Sequence, residues 1–314
     1  MKVDKPYKPH QPFNMHKLPA LSLCLVFPAL VLCFCNSKPP NTVVPNPDFA
    51  IVSDSLPYDL QNPALTINLQ TEALKEISGL SPTDSAGIYL AIADERGEVY
   101  FMDANRGGAV FRRVLFRDKG DFESVEMVGK SIWAAKSNGD LFEITNWEKN
   151  PPQVEEFKSS LKKQNDVEGL AFDPARKALL LACKENPDSL YPRNIYVFNL
   201  KTKVLEESPA FTIHPEEVNR MVAYGESEKH DYFSPSGVAV HPLTSDIYVI
   251  STALKRLVVL DYKTGKLKSA QRLDKKILPQ PEGISFDPSG NLLLSSEGKE
   301  GEGLLLKFDF KEKK

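Results

Sequence analysis

Five segments of the chain share one outline, and that recurrence restricts the fold more than any other feature. They read EISGLSPTDSAGIYLAIADE (76–95), DFESVEMVGKSIWAAKS (121–137), DVEGLAFDPARKALLLACKE (166–185), SPSGVAVHPLTSDIYVIST (234–252) and PEGISFDPSGNLLLSSEG (281–298). Each opens on a polar residue, runs through a short apolar strand, turns, and returns through a second apolar strand to a polar end. In Asp287-Pro288-Ser289-Gly290-Asn291 the proline presets one φ and the glycine supplies a positive one. An alternating stretch follows each pair: EVYFMD (98–103), DLFEIT (140–145), NIYVFNL (194–200), RLVVLDY (256–262) and LLLKFDF (304–310). Such alternation buries one face of a strand and wets the other.

Glu76, Glu123, Glu168, Ser236 and Glu282 mark equivalent positions, at spacings of 47, 45, 68 and 46 residues. A unit of about 45 residues with three or four strands is the pattern of propeller blades. The expected fold is all-β: one propeller of five blades, or six if residues 201–233 hide a degenerate one. Otherwise 201–233 is an insertion, with a short helix candidate near 214–224. The last unit stops after its third strand, and ALTINLQ (64–70) is placed to supply the fourth and close the ring, which removes an exposed sheet edge. A β-sandwich would require five accidental matches.

The stretches ISGL with IADE, DVEGLAFD followed by ACKENP, and QPEGISFDPSGNLLLSSE carry a resemblance to the SdiA-regulated family of bacterial envelope propellers, the YjiK-like proteins, over about residues 70–310. The resemblance implies a β-propeller in the cell envelope, of unassigned biochemical role. Ser251-Thr252 in the fourth unit and Lys136-Ser137 in the second depart from the family's acidic residues, so those positions are not counted as acid ligands.

In a blade the second strand returns antiparallel to the first, so the start of one and the end of the other share a rim. Glu282 pairs in this way with Glu297, Glu168 with Glu185, and Glu76 with Asp94 and Glu95, while Glu123 joins from the second unit. First strands line a propeller's channel, so a crown of carboxylates is expected at one mouth. Oxygen-rich, histidine-poor surroundings suit Ca²⁺ or Mg²⁺ rather than zinc. The candidate metal ligands are Glu76, Glu95, Glu123, Glu168, Glu185, Glu282 and Glu297, with Asn165 and Asn186 as supplementary donors. The plainer role for these acids is to accept backbone N–H groups of the next blade. Gly79, Gly169, Gly237 and Gly283 are read as permitting close packing near the axis.

The chain opens with MKVDKPYKPHQPFNMHK, then the uncharged LPALSLCLVFPALVLCFC (18–35), then the proline-rich NSKPPNTVVPNPDF. Positive, apolar, then polar is the order of a secretory signal; Met1 and Met15 are both candidate starts. Cys35 is the candidate lipidation site of a bacterial-lipoprotein-like signal, although Phe34 stands where a small residue is expected; an uncleaved anchor is the alternative. The expected organisation is a signal over 1–35, an extended linker over 36–58 and the propeller over 59–314, in the cell envelope and held to a membrane. Removing residues 1–35 takes four lysines and one aspartate from 39 basic and 42 acidic side chains and leaves a net charge of −6. An acidic domain has no footprint for nucleic acid and no attraction to anionic lipid.

Other chemistry is sparse. His214, His230 and His241 show no metal-ligand spacing, and His241 occupies the turn slot that Asp173 and Asp287 fill elsewhere. There is no GxSxG, HExxH or P-loop. Ser234 and Ser236 lack an adjacent base, and Cys183 reads as apolar packing. The leading functional expectation is a membrane-tethered binding module for a small-molecule or protein ligand, with Ca²⁺ at the channel mouth. The alternatives are a calcium-dependent hydrolase of phytase-like or lactonase-like type, by fold analogy alone, and a protein-interaction scaffold.

Overall fold

Twenty-one strands arise where apolar alternation meets turn residues, and the computed structural model describes them over residues 55–186, 192–222, 232–298 and 301–312. Strand β1 (Leu65–Leu69) precedes the first blade, formed by β2 (Ile77–Pro82), β3 (Ile88–Ala93), β4 (Gly97–Asp103) and β5 (Ala109–Arg117). The second holds β6 (Phe122–Val128), β7 (Ser131–Lys136), β8 (Leu141–Thr145) and β9 (Gln153–Phe157). In the third, β10 (Val167–Asp173), β11 (Ala178–Cys183) and β12 (Arg193–Asn199) are completed by two pieces, β13 (Val204–Leu205) and β14 (Phe211–Ile213), both paired with β12. The fourth comprises β15 (Gly237–Val240), β16 (Ile247–Ser251), β17 (Arg256–Leu260) and β18 (Leu267–Arg272). The fifth comprises β19 (Gln280–Phe286), β20 (Leu292–Glu297) and β21 (Gly303–Phe308).

These are five antiparallel sheets whose inner strands β2, β6, β10, β15 and β19 adjoin in a closed ring. The chain is therefore a five-bladed β-propeller. As its position in the sequence predicts, β1 supplies the fourth strand of the last blade, pairing with β21 from Leu65↔Lys307 to Leu69↔Gly303. Residues 201–222 hold β13, β14 and the short helix α1 (Pro215–Met221), and form no sixth sheet among the described residues.

The apolar residues collect between blades rather than in one centre. Five clusters fill the five interfaces; Leu90, Ile92 and Val99 of the first blade meet Phe122, Val125 and Phe142 of the second, for example. Burial on both faces explains the near-continuous apolar runs of the second strands. Glycine permits the inner strands to close up: a Cβ on Gly79 would stand 2.7 Å from Ser124 Cα, and one on Gly237 2.6 Å from the Glu282 carbonyl oxygen. Tyr58 and Leu60 are buried between the fourth and fifth blades. The signal, the lipidation candidate Cys35 and most of the linker lie outside the described residues.

At the rim where inner strands end, the turns of the third, fourth and fifth blades are each held by their first polar side chain. Asp173 Oδ1 accepts the N–H groups of Ala175 and Arg176, and Asp287 Oδ1 those of Ser289 and Asn291. His241 Nδ1 does the same for Leu243 and Thr244 at 3.2 and 3.1 Å. That pattern assigns the ring proton to Nε2, which faces the Tyr58 hydroxyl at 2.9 Å.

Candidate functional site

The opposite rim, where inner strands begin, carries the acids. In the first, second, third and fifth blades the inner strand bulges just after it begins. The residue at that point is Ser78, Glu123, Glu168 or Glu282, and in the unbulged fourth blade Ser236, just before β15, holds the equivalent place. Two further positions follow from the same register: one two residues earlier, at or just before the start of the inner strand, filled by Glu76, Asp121, Asp166, Ser234 and Gln280, and one at or just after the end of the second strand, filled by Asp94, Ser137, Lys184, Thr252 and Glu297. Three rungs of five positions thus surround one mouth.

This register moves some expected residues and keeps others. Glu123, Glu168, Glu282 and Glu297 come together at the mouth, half-buried. Glu76 occupies the outermost rung, exposed beside Glu297, and Ser78 fills the position to which Glu76 is assigned by spacing. Glu95 is exposed and follows Asp94, which is the residue at the strand end. Glu185 likewise follows Lys184 and turns to Arg193 at 3.2 Å. The Asn165 side-chain oxygen accepts the Lys162 N–H at 2.8 Å, and Asn186 Nδ2 donates to the Pro192 carbonyl oxygen at 3.1 Å.

Three members of the mouth escape sequence inspection. Asp121 and Asp166 stand immediately before the apolar openings of β6 and β10, where a carboxylate reads as a turn residue. Lys184 reads as a polar strand end, yet β11 alternates Ala182 and Cys183 into the core and brings the Lys184 ammonium to Glu168 Oε1 at 2.9 Å. Asp166 lies 4.0 Å from the same ammonium.

The electrostatics follow from burial and crowding. Burial, then the neighbouring Glu168, pushes the Glu123 carboxyl up to about 9. Burial and Glu168 push Glu282 to about 8. Burial lifts Glu168 to about 7, against the opposing pull of Lys184. Glu297, Asp94 and Asp166 are raised, each by burial first. Burial alone lowers Lys184, but Glu168, Asp166 and Glu282 outweigh it and hold the ammonium above the ordinary lysine range. At neutral pH the mouth therefore retains protons that carboxyls in water would release. Among the described residues no three His, Cys, Asp or Glu side chains stand at metal-ligating spacing. Asp94 Oδ1, however, is buried without a hydrogen-bond partner.

The sequence profile of the SdiA-regulated family matches residues 58–299. The chain belongs to the SdiA-regulated family. The match to the SdiA-regulated family runs from Tyr58 through β20 and ends before β21. No curated protein matches the chain. Among solved structures, a glutaminyl cyclase from Myxococcus xanthus is similar at 13% identity, covering 79% of this chain and 95% of that one with a TM-score of 0.52. A PQQ-bound aldose sugar dehydrogenase from Streptomyces coelicolor is similar at 11% identity over 79% and 97% of the two chains, with a TM-score of 0.49. At 13% identity the likeness of the SdiA-regulated chain to the cyclase concerns the fold alone.

Proposed function

We propose that this SdiA-regulated propeller is a membrane-tethered, extracytoplasmic binding module whose acidic mouth takes a cation, with Ca²⁺ the first candidate. The observation that carries the reading is the convergence of Glu123, Glu168, Glu282, Glu297 and Asp94 on one opening. The tether rests on the charged, apolar and proline-rich order of residues 1–48.

Two sides of the mouth differ. On the Glu168 side, Lys184 already supplies positive charge. On the other, Asp94 has an unsatisfied buried oxygen, and Glu297 is crowded by Asp94 and Glu76. Oxygen donors of this kind suit Ca²⁺. Because the carboxylates are not already drawn to ligating spacing, an ion must gather them. The expected dissociation constant is that of extracellular calcium modules, about 10⁻⁴–10⁻³ M.

Thermal melts with EDTA and with 10 mM CaCl₂ test the proposal. Binding to the native state raises the midpoint by mass action, here by about 3 °C or more. Asp94→Asn with Glu297→Gln removes that rise. Since the ion displaces protons held on raised carboxyls, the shift is larger at pH 8.5 than at pH 6. An unmoved midpoint at pH 8.5, or an equal shift in the double variant, refutes the calcium reading.

A further inference from the structure

The far end of the channel opens into a well of about 430 Å³, formed where the inner strands finish. Its apolar lining comes from Met127, Ala171, Phe172, Ala239, Val240 and Phe286, and its polar lining from Thr83, Asp84, His241, Ser245, Ser285 and Asp287. Into the same space comes one glutamate, Glu126 of β6. By register Glu126 occupies the position filled by Ser81, Ala171, Ala239 and Ser285 in the other four blades. Those four side chains are small and buried, whereas Glu126 keeps partial exposure. A propeller of this size therefore closes with serine or alanine at that level, and blade packing alone does not explain a carboxyl there.

The carboxyl has acceptor capacity to spare. Its hydrogen-bonding neighbours are the Phe172 N–H and the Ser81 hydroxyl, while an ionised carboxylate offers about four acceptor sites. The other titratable groups of the well are committed or peripheral. His241 and Asp287 hold their turns, Asp287 also faces Lys307, outside the well, at 3.5 Å, and Asp84 is exposed. No lysine or arginine is among the described lining residues, so an anion finds no partner. Burial pushes the Glu126 carboxyl up to about 8, so it stays mostly protonated at neutral pH until a cation displaces that proton.

We propose that this well is a second ligand site, distinct from the acidic mouth, for a small apolar amine whose ammonium pairs with Glu126 while its hydrocarbon part lies against Phe172, Phe286 and Val240. The volume falls in the range of small-molecule sites, and apolar surface with a few polar groups is their usual composition; here Glu126 is the one titratable group that holds no turn and is not at the exposed rim.

Benzylamine is the probe and benzyl alcohol its neutral counterpart, titrated by ligand-observed NMR at pH 7.5 on the full chain. The amine binds saturably below about 1 mM and at least tenfold more tightly than the alcohol. Glu126→Gln, which keeps the side-chain shape, weakens the amine at least tenfold and leaves the alcohol within twofold. Val240→Phe narrows the well without touching the charge and weakens both; it also serves if the glutamine variant does not fold. Asp94→Asn leaves amine binding unchanged, which separates this site from the calcium proposal. Equal affinity for amine and alcohol, retention of the amine by both well variants, loss on Asp94→Asn, or no saturation by 10 mM overturns the assignment.

Discussion

Lys184 Nζ lies 2.9 Å from Glu168 Oε1, so the acidic mouth carries an ammonium of its own. The lysine side chain is 39% exposed and the glutamate 11%, which places the pair between a screened surface contact and a buried one. Lys184→Met leaves Glu168 without its counter-charge. The expected loss is about 1–2 kcal/mol at pH 8, after allowing for screening at the exposed end. At pH 5 Glu168 is protonated in the variant and the loss shrinks. Urea midpoints at the two pH values check this; equal losses would mean that the lysine acts through packing.

Glu123 sets a pH dependence of the opposite kind to acid denaturation. Its carboxyl holds a proton up to about 9 in the native state, while an unfolded glutamate releases it near 4.5. The native state thus binds more protons between those values, and stability falls as pH rises through the window, with a ceiling of about 1.4 kcal/mol per pH unit. Glu123→Gln cannot titrate. Its unfolding free energy declines less from pH 5 to pH 9 than that of the parent chain, as chemical denaturation at pH 5, 7 and 9 will record.

His241 works in the other direction. Burial holds its imidazole down to about 4, whereas the unfolded ring protonates near 6.5. The stability this gives is present above 6.5 and disappears as pH falls toward 4. In His241→Asn the side-chain oxygen still accepts the Leu243 and Thr244 N–H groups, but the contact with Phe286, 4.8 Å between ring centroids, is lost. The variant is less stable by about 2 kcal/mol at pH 7.5, and the gap narrows by at least about 1 kcal/mol at pH 4.5. A constant gap would contradict the buried, neutral state of the native imidazole.

Ring closure can be tested along a single strand. Leu69 is 1% exposed and Leu65 39% exposed, although both pair with β21. Leu69→Ala is expected to cost about 2–4 kcal/mol, and Leu65→Ala less than about 0.5 kcal/mol. Calorimetric midpoints of the two variants decide the matter.

The blade count, the closing strand and the turn slot of His241 were all readable because each depends on local periodicity and turn chemistry. The acidic mouth was legible only in part, and the reason is geometric. A bulge at the start of the inner strand places Ser78, not Glu76, in line with Glu123 and Glu168, and linear spacing does not reveal which of two nearby polar residues the bulge selects. Alternation at the ends of β3 and β11 likewise selects Asp94 over Glu95 and Lys184 over Glu185. Glu126 escaped notice because it interrupts a slot of serines and alanines instead of repeating a pattern. Sites built from exceptions to a repeat emerge only once the register is known.

Of the described strands β1 is synthesised first, yet among the described residues its one ladder is with β21, the last of them. At about 5–20 residues per second on the ribosome, that partner emerges on the order of tens of seconds later. Throughout the interval the first four blades face an unfilled gap, with β2 and β15 lacking the neighbour they share in β19. The nascent chain must keep those apolar flanks from other molecules until its last hairpin arrives, so a truncated message yields not a smaller propeller but an open, adhesive one.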